Sequence, residues 1–107
     1  MAEIMKLKEL INYQNNAIVS KTLLEKEIGT ITLFAFDKNQ ALSEHTAPFD
    51  AMVQVIEGRT EIRIAGVPHL LDEGEMLVMP GHQSHALKAL TPFKMLLTMI
   101  RSESKKV

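Results

Sequence analysis

Three histidines, His45, His82 and His85, are the side chains of this chain whose type and spacing could do chemistry. A neutral imidazole nitrogen is a borderline donor, and three of them hold divalent zinc, copper, nickel or iron while leaving a coordination position for water or substrate. An open position of that kind supports Lewis-acid chemistry or oxygen activation. The alternative reading needs no metal: His45 and His85 line a cavity as hydrogen-bonding groups, and His82, in the turn between Pro80 and His85, faces solvent. The cavity would then hold a small molecule among a few polar groups in an apolar wall. Serine nucleophiles are argued against, because Ser84 and His85 are strand neighbours pointing to opposite faces and Ser43 and His45 would stand roughly 6.6 Å apart along one face. The sequence contains no cysteine, which excludes disulfides, thiolate zinc sites and cysteine nucleophiles, and it has no phosphate-cradling glycine loop. His69 follows Pro68 in what reads as an edge strand and is expected to be a surface residue there.

The elements that must position these side chains are strands. The runs AIVSKTLL, TITLFAF, AMVQVIE, TEIRIA, EMLVM and FKMLLTMI are rich in Val, Ile, Thr and Phe, and each is closed by Gly, Pro, Asn or Asp. Short strands with turn signals at this density point to an all-β sandwich or barrel. Thr60 to Ala65 alternates as a half-buried strand, with Thr60, Ile62 and Ile64 on one face. Ala51 to Ile56 is apolar on both faces apart from Gln54, so its second face is expected to pack as well, with a subunit interface as the candidate. Turns are expected at Glu57-Gly58, Ala65-Gly66, Asp72-Glu73-Gly74 and Pro80-Gly81, and strands joined so tightly are expected to be antiparallel neighbours. The domain reads as residues 17–100. Residues 1–16 precede it with at most one short helix near Met5 to Leu10, and 101–107 form a solvated tail.

Composition narrows the partners. A hydrophobic fraction of 46%, a charged fraction of 23% and a net charge of −1 describe one ordinary globular domain with no basic footprint for nucleic acid. The strongly apolar stretch Met95 to Ile100 is far short of the ~20 residues a membrane helix needs. The opening MAEIMKLKEL, interrupted by two glutamates, is not a secretory signal, and a cytoplasmic location is expected.

Two stretches carry a family resemblance. GEMLVMPGHQSH, Gly74 to His85, is similar to the second cupin motif: a glycine, five residues, a proline, and a histidine five positions on. HTAPFDAMVQVIEG, His45 to Gly58, resembles the first cupin motif in its first histidine and its closing glycine. Fifteen residues separate Gly58 from Gly74, the spacing of compact cupins. Ala47 stands where that motif has its second histidine and Ala51 where it has its glutamate, so two of the four usual metal ligands are absent. Glu44 and Asp50 each lie one residue from a ligand position and, unless a β-bulge intervenes, point to the opposite face.

The resemblance, to the small single-domain cupins of the conserved barrel type, implies an antiparallel cupin-type jelly-roll barrel with His45 and His85 at its mouth. It implies a small-molecule ligand and a divalent transition metal (Zn, Ni, Fe, Mn or Cu) held by His45 and His85; His82 holds no motif position but sits in a turn where strand parity does not apply, which makes it the candidate third imidazole over the same opening. The missing carboxylate weighs against iron and manganese, which prefer oxygen donors. A metal-free ligand-binding or sensing barrel is the alternative, and a homodimer is the expected assembly. Met76 and Met79 are candidates to shape the pocket or simply to fill core space. Phe49, in the loop after His45, would act as a lid over the opening or anchor that loop.

Overall fold

The polar break at Asn15-Asn16 ends an N-terminal segment, and from there the chain runs as strands. The computed structural model describes residues 2–102. In chain order the strands are β1 (Ile18–Lys26), β2 (Gly29–Phe36), β3 (Ala41–His45), β4 (Phe49–Glu57), β5 (Arg59–Ile64), β6 (Val67–Asp72), β7 (Met76–Met79), β8 (His85–Ala89) and β9 (Phe93–Arg101). The helix expected near Met5 to Leu10 is a single 3-10 turn, Leu7–Glu9, with no side-chain cap. The expected solvated tail lies, from residue 103 on, outside the described residues. No helix among the described residues is long and apolar enough to cross a membrane.

All pairings are antiparallel, within two sheets of order β1-β2-β9-β4-β7 and β3-β8-β5-β6. The architecture is the expected cupin-type jelly roll, as two facing sheets rather than one closed sheet. Of the four expected turns, only Ala65-Gly66, between β5 and β6, joins antiparallel neighbours. β4 passes to β5, β6 to β7 and β7 to β8 by changing sheet. The corner between β4 and β5 depends on Gly58. Its φ is +87°, and a Cβ there would stand 2.2 Å from the Pro92 carbonyl oxygen and 2.7 Å from the Phe93 Cβ. Only glycine fits a left-handed backbone pressed against another chain segment in this way.

Strand alternation then sorts the side chains. Val53 and Val55 of β4 and Phe93 and Met95 of β9 face Ile62, Leu87 and Ala89 of the second sheet, all buried. Phe36 and Phe93, paired across β2 and β9, stack with ring centroids 4.7 Å apart. Thr60, fully buried, satisfies its hydroxyl by donating to the Lys88 carbonyl at 2.8 Å. Edge strand β6 carries Pro68 and His69, as expected of a strand with a missing backbone donor.

The outer face of the five-stranded sheet is apolar too, and the protein's own N-terminal segment covers part of it. Ile11 packs with Leu33 and Ala35, flanked by Leu10, Tyr13 and Ile56. Lys94, nearly buried on that face, donates from Nζ to the Lys8 carbonyl at 2.6 Å and stands 5.1 Å from the Tyr13 ring. Tyr13 donates its hydroxyl to Glu57, and burial, reinforced by that carboxylate, pushes the phenol well above its ordinary range. Part of the second face of β4 is thus packed within the chain.

The corner and the hairpin turn separate two costs of a side chain. Gly66, φ +82°, has nothing within 4 Å of where a Cβ would stand, whereas Gly58 has backbone atoms in contact. Gly66→Ala is expected to cost about 1–2 kcal/mol for the left-handed backbone alone. Gly58→Ala is expected to add about 1–3 kcal/mol of overpacking to that. Urea denaturation of both variants checks it; equal losses would mean the close approach at the corner is relieved without cost.

Candidate functional site

At one end of the sandwich β3, β4, β7, β8 and β9 leave a cavity of about 80 Å³ between the sheets. Parity decides what faces it. In β9 the residues two apart, Met95, Leu97 and Met99, point inward, and their partners on β4 place Ala51 opposite Met99 and Met79 opposite Ala51. From the second sheet come Leu87 and His85, again two apart on β8. On β3 the inward residues are Leu42 and His45, three apart, which simple alternation forbids. A bulge resolves this: Leu42 pairs with Leu87 and His45 with His85, so three steps on β3 answer two on β8.

The two imidazoles meet edge to face, with ring centroids 4.3 Å apart. His45 Nδ1 lies 2.8 Å from the Ser43 carbonyl oxygen, and His85 Nδ1 lies 3.3 Å from the Gln83 carbonyl oxygen. A carbonyl only accepts, so in each neutral ring Nδ1 carries the proton and Nε2 keeps a free lone pair. Neither Nε2 has a hydrogen-bond partner among the described residues. Ser43 thus supports His45 through its backbone, and no serine–histidine nucleophile pair forms. Burial, and then the neighbouring His45, hold His85 below its ordinary value, against a smaller opposing effect of the Gln83 carbonyl.

The expected site residues separate into two groups. His45, His85, Phe49 and Met79 are brought to one cavity. Phe49 forms part of the wall at the start of β4, with the Arg101 guanidinium 5.2 Å from its ring centroid on the adjacent strand. Met76 is not in the cavity: it pairs with Gln54 on the outer face, out of phase with the inward-facing Leu77 and Met79, and is about half exposed. His82 is also not among the lining residues. Its backbone takes a left-handed φ of 67° and its N–H donates to the Ala47 carbonyl at 2.9 Å, so it shapes the turn. Sequence reasoning missed Leu42, Ala86, Leu87, Met95, Leu97 and Met99 as lining residues; parity along β8 and β9 would have found Leu87 and the three of β9, but the bulge hides Leu42.

All four positions of the expected metal set, His45, Ala47, Ala51 and His85, face this cavity. Two imidazoles and two methyl groups do not make a four-ligand centre. No group of three or more His, Cys, Asp or Glu side chains able to hold an ion occurs among the described residues. The donor set therefore does not fit a resident hard divalent ion, and the two alanines leave space where ligands would stand.

A jelly roll of two antiparallel sheets with paired histidines at one end defines the class, a cupin-type domain. The comparisons agree. The conserved SPY1581 protein of unknown function from Streptococcus pyogenes is 34% identical over 97% of this chain and 91% of its own, with a TM-score of 0.91. A cupin 2 conserved barrel domain protein from Leptotrichia buccalis is 36% identical over 91% of this chain, with a TM-score of 0.88, and the chain spans 47% of that longer protein. A cupin superfamily protein from Desulfitobacterium hafniense, 24% identical, shares the fold with a TM-score of 0.88 over 96% of this chain and 94% of its own. No family model matches the sequence, and no curated protein shows significant similarity to it. The chain has the fold of a small cupin domain.

The depressed His85 value has a measurable consequence. Protonation favours the unfolded chain, so the stability tied to this group is complete above pH 6.5 and is lost as pH falls from there through the folded-state value. NMR titration is expected to find the His85 ring below 6.5, and to find it raised in His45→Gln, which removes the neighbouring charge. The urea midpoint should fall less between about pH 7.5 and about pH 5.5 in His85→Gln than in the wild type. A His85 ring titrating at or above 6.5 would contradict the burial argument.

Proposed function

We propose that this cupin domain is a binding protein that holds one small, largely apolar molecule in the cavity between the sheets, with His45 and His85 as its polar contacts. The observation that carries this reading is the cavity itself: an apolar wall with two imidazoles converging at its mouth, each fixed by a backbone carbonyl. Ligand sites have this composition, a mostly hydrophobic lining with a few placed polar groups. At the roughly 30 Å³ a water takes in the liquid, the enclosed space holds about three waters, so a small ring sits partly inside it and partly in the open mouth. The reading requires no metal, and the donor set does not favour one.

Ligand-observed NMR with toluene is expected to show saturable binding. Ala51→Leu, which fills the cavity from its floor, should abolish it, and Ala47→Leu near the mouth gives a second test where overpacking unsettles the first. Binding that survives both substitutions would place the ligand elsewhere.

We also propose that the domain is a homodimer built on the part of the outer sheet face that the N-terminal segment leaves bare. Leu24, Ile28, Ile31, Thr98 and Ile100 form an almost wholly apolar patch there, with Ile28 72% and Ile100 58% exposed. A second copy is the occupant that fits. Lys26, Glu27, Asp50 and Arg101, charges of both signs, stand along or next to these same strands, so that the patch can face itself about a twofold axis. Light scattering at micromolar concentration is expected to give a dimer, and Ile28→Lys combined with Ile100→Lys a folded monomer. A monomeric wild type would end the proposal.

A further inference from the structure

The wall of the cavity is one-sided in its hydrogen-bonding capacity. Its side chains are Leu, Ala, Met and Phe apart from the two histidines, and both Nδ1–H groups are already committed to the Ser43 and Gln83 carbonyls. What remains for a ligand is two Nε2 lone pairs and the thioether sulfurs of Met79, Met95 and Met99, which accept only weakly. No lining side chain has a free donor. The Arg101 guanidinium rests on the Phe49 ring and is not among the lining residues. An ether, ketone or carboxylate oxygen brought against the imidazoles would meet two acceptors and no side-chain donor of the wall.

We propose that the natural ligand is a hydrogen-bond donor: a small neutral phenol, alcohol or N–H heterocycle whose apolar skeleton fills the space beside Ala47 and Ala51 and whose O–H or N–H is received by Nε2 of His45 or His85. The proposal rests on the cavity being the binding site and adds the chemical class that site selects. The missing metal ligands are then part of the selection. In their place the two alanines provide room for a flat ring, and the imidazoles that would have faced an ion face a donor.

The test compares phenol with toluene, equal in number of non-hydrogen atoms and differing in one hydroxyl. Affinities for both are measured by NMR titration on EDTA-treated protein, for the wild type, His45→Leu and His85→Leu. The ratio of the two affinities within one protein is the readout, which partial unfolding of a variant does not change. The phenol-to-toluene ratio is expected to fall about threefold to tenfold in at least one leucine variant, the effect of losing one hydrogen bond. A ratio unchanged in both variants, with both probes still bound, overturns the donor assignment and leaves the pocket standing. Failure of both probes to bind overturns the pocket reading together with it. A ratio that responds to the histidines only after zinc(II) is restored assigns the recognition to a metal and overturns the proposal.

Discussion

The approach of Gly58 to residues 92 and 93 is the constraint on which the architecture depends. β4 lies inside the five-stranded sheet, paired with β9 on one side and β7 on the other, and β5 lies inside the four-stranded sheet. Moving from one to the other in a single residue requires a left-handed backbone and a contact with the Pro92 carbonyl too close for any Cβ. Two sheets facing each other, with Val53, Val55, Phe93 and Met95 between them, follow from that corner together with strand alternation. After a register shift between Glu57 and Val55, the pairing of β4 with β9 runs unbroken to the other end of the strand, where Ala51 stands opposite Met99 and Met79 and the cavity begins.

Space in that cavity comes from small residues at positions the fold points inward. A histidine and a glutamate at positions 47 and 51 would complete a charged, ligated centre. Methyl groups there leave a cleft walled by leucine and methionine, with polarity confined to His45 and His85. The two imidazoles are held in one tautomer by backbone carbonyls, a support that commonly orients metal-ligating histidines and serves equally well to present Nε2 to an organic donor. Burial keeps His85 neutral further into the acid range than an exposed ring, which preserves its lone pair for that contact.

Much of this was legible in the residues and some of it was not, for physical reasons. Six strands announce themselves by β-branched and aromatic runs, and the turns at Gly58, Gly66, Gly74 and Pro80-Gly81 by residue type. The sheet changes at Gly58, Gly74 and Pro80-Gly81 were hidden, because a glycine that reverses a hairpin, as Gly66 does, and a glycine that carries a strand across a sandwich look alike in sequence. His45 and His85 are legible from the two cupin-like motifs, and Phe49 and Met79 stand two residues from the inward-facing Ala51 and Leu77 on their strands. Met76 could be misplaced because EMLVM is apolar on both faces, so composition gives no phase; only pairing with Gln54 shows that it points outward. His82 lies in a turn where parity has no meaning, and it is not among the residues lining the cavity that holds the other two.

The mouth is held more firmly than its loop composition suggests. Asp50 Oδ1 accepts from the Gly81 N–H at 2.8 Å, the His82 N–H donates to the Ala47 carbonyl at 2.9 Å, and the Ser102 N–H donates to the Pro48 carbonyl at 2.9 Å. Three contacts from separate parts of the chain thus tie residues 47–50 to the turn after β7 and to the end of β9. A Cβ at Gly81 would press on the Phe49 carbonyl at 3.1 Å, so this junction too is closed by a missing side chain. Asp50, one residue from a ligand position, is engaged in this clamp and faces away from the cavity. Binding at a preorganised rim loses less freedom than binding that must order a loop, which matters most for a ligand of few atoms with little surface to bury. The carboxylate at position 50 therefore fixes the loop that carries Ala47 and Phe49, and in the proposed binding mode contact with the ligand is left to the histidines and the apolar wall.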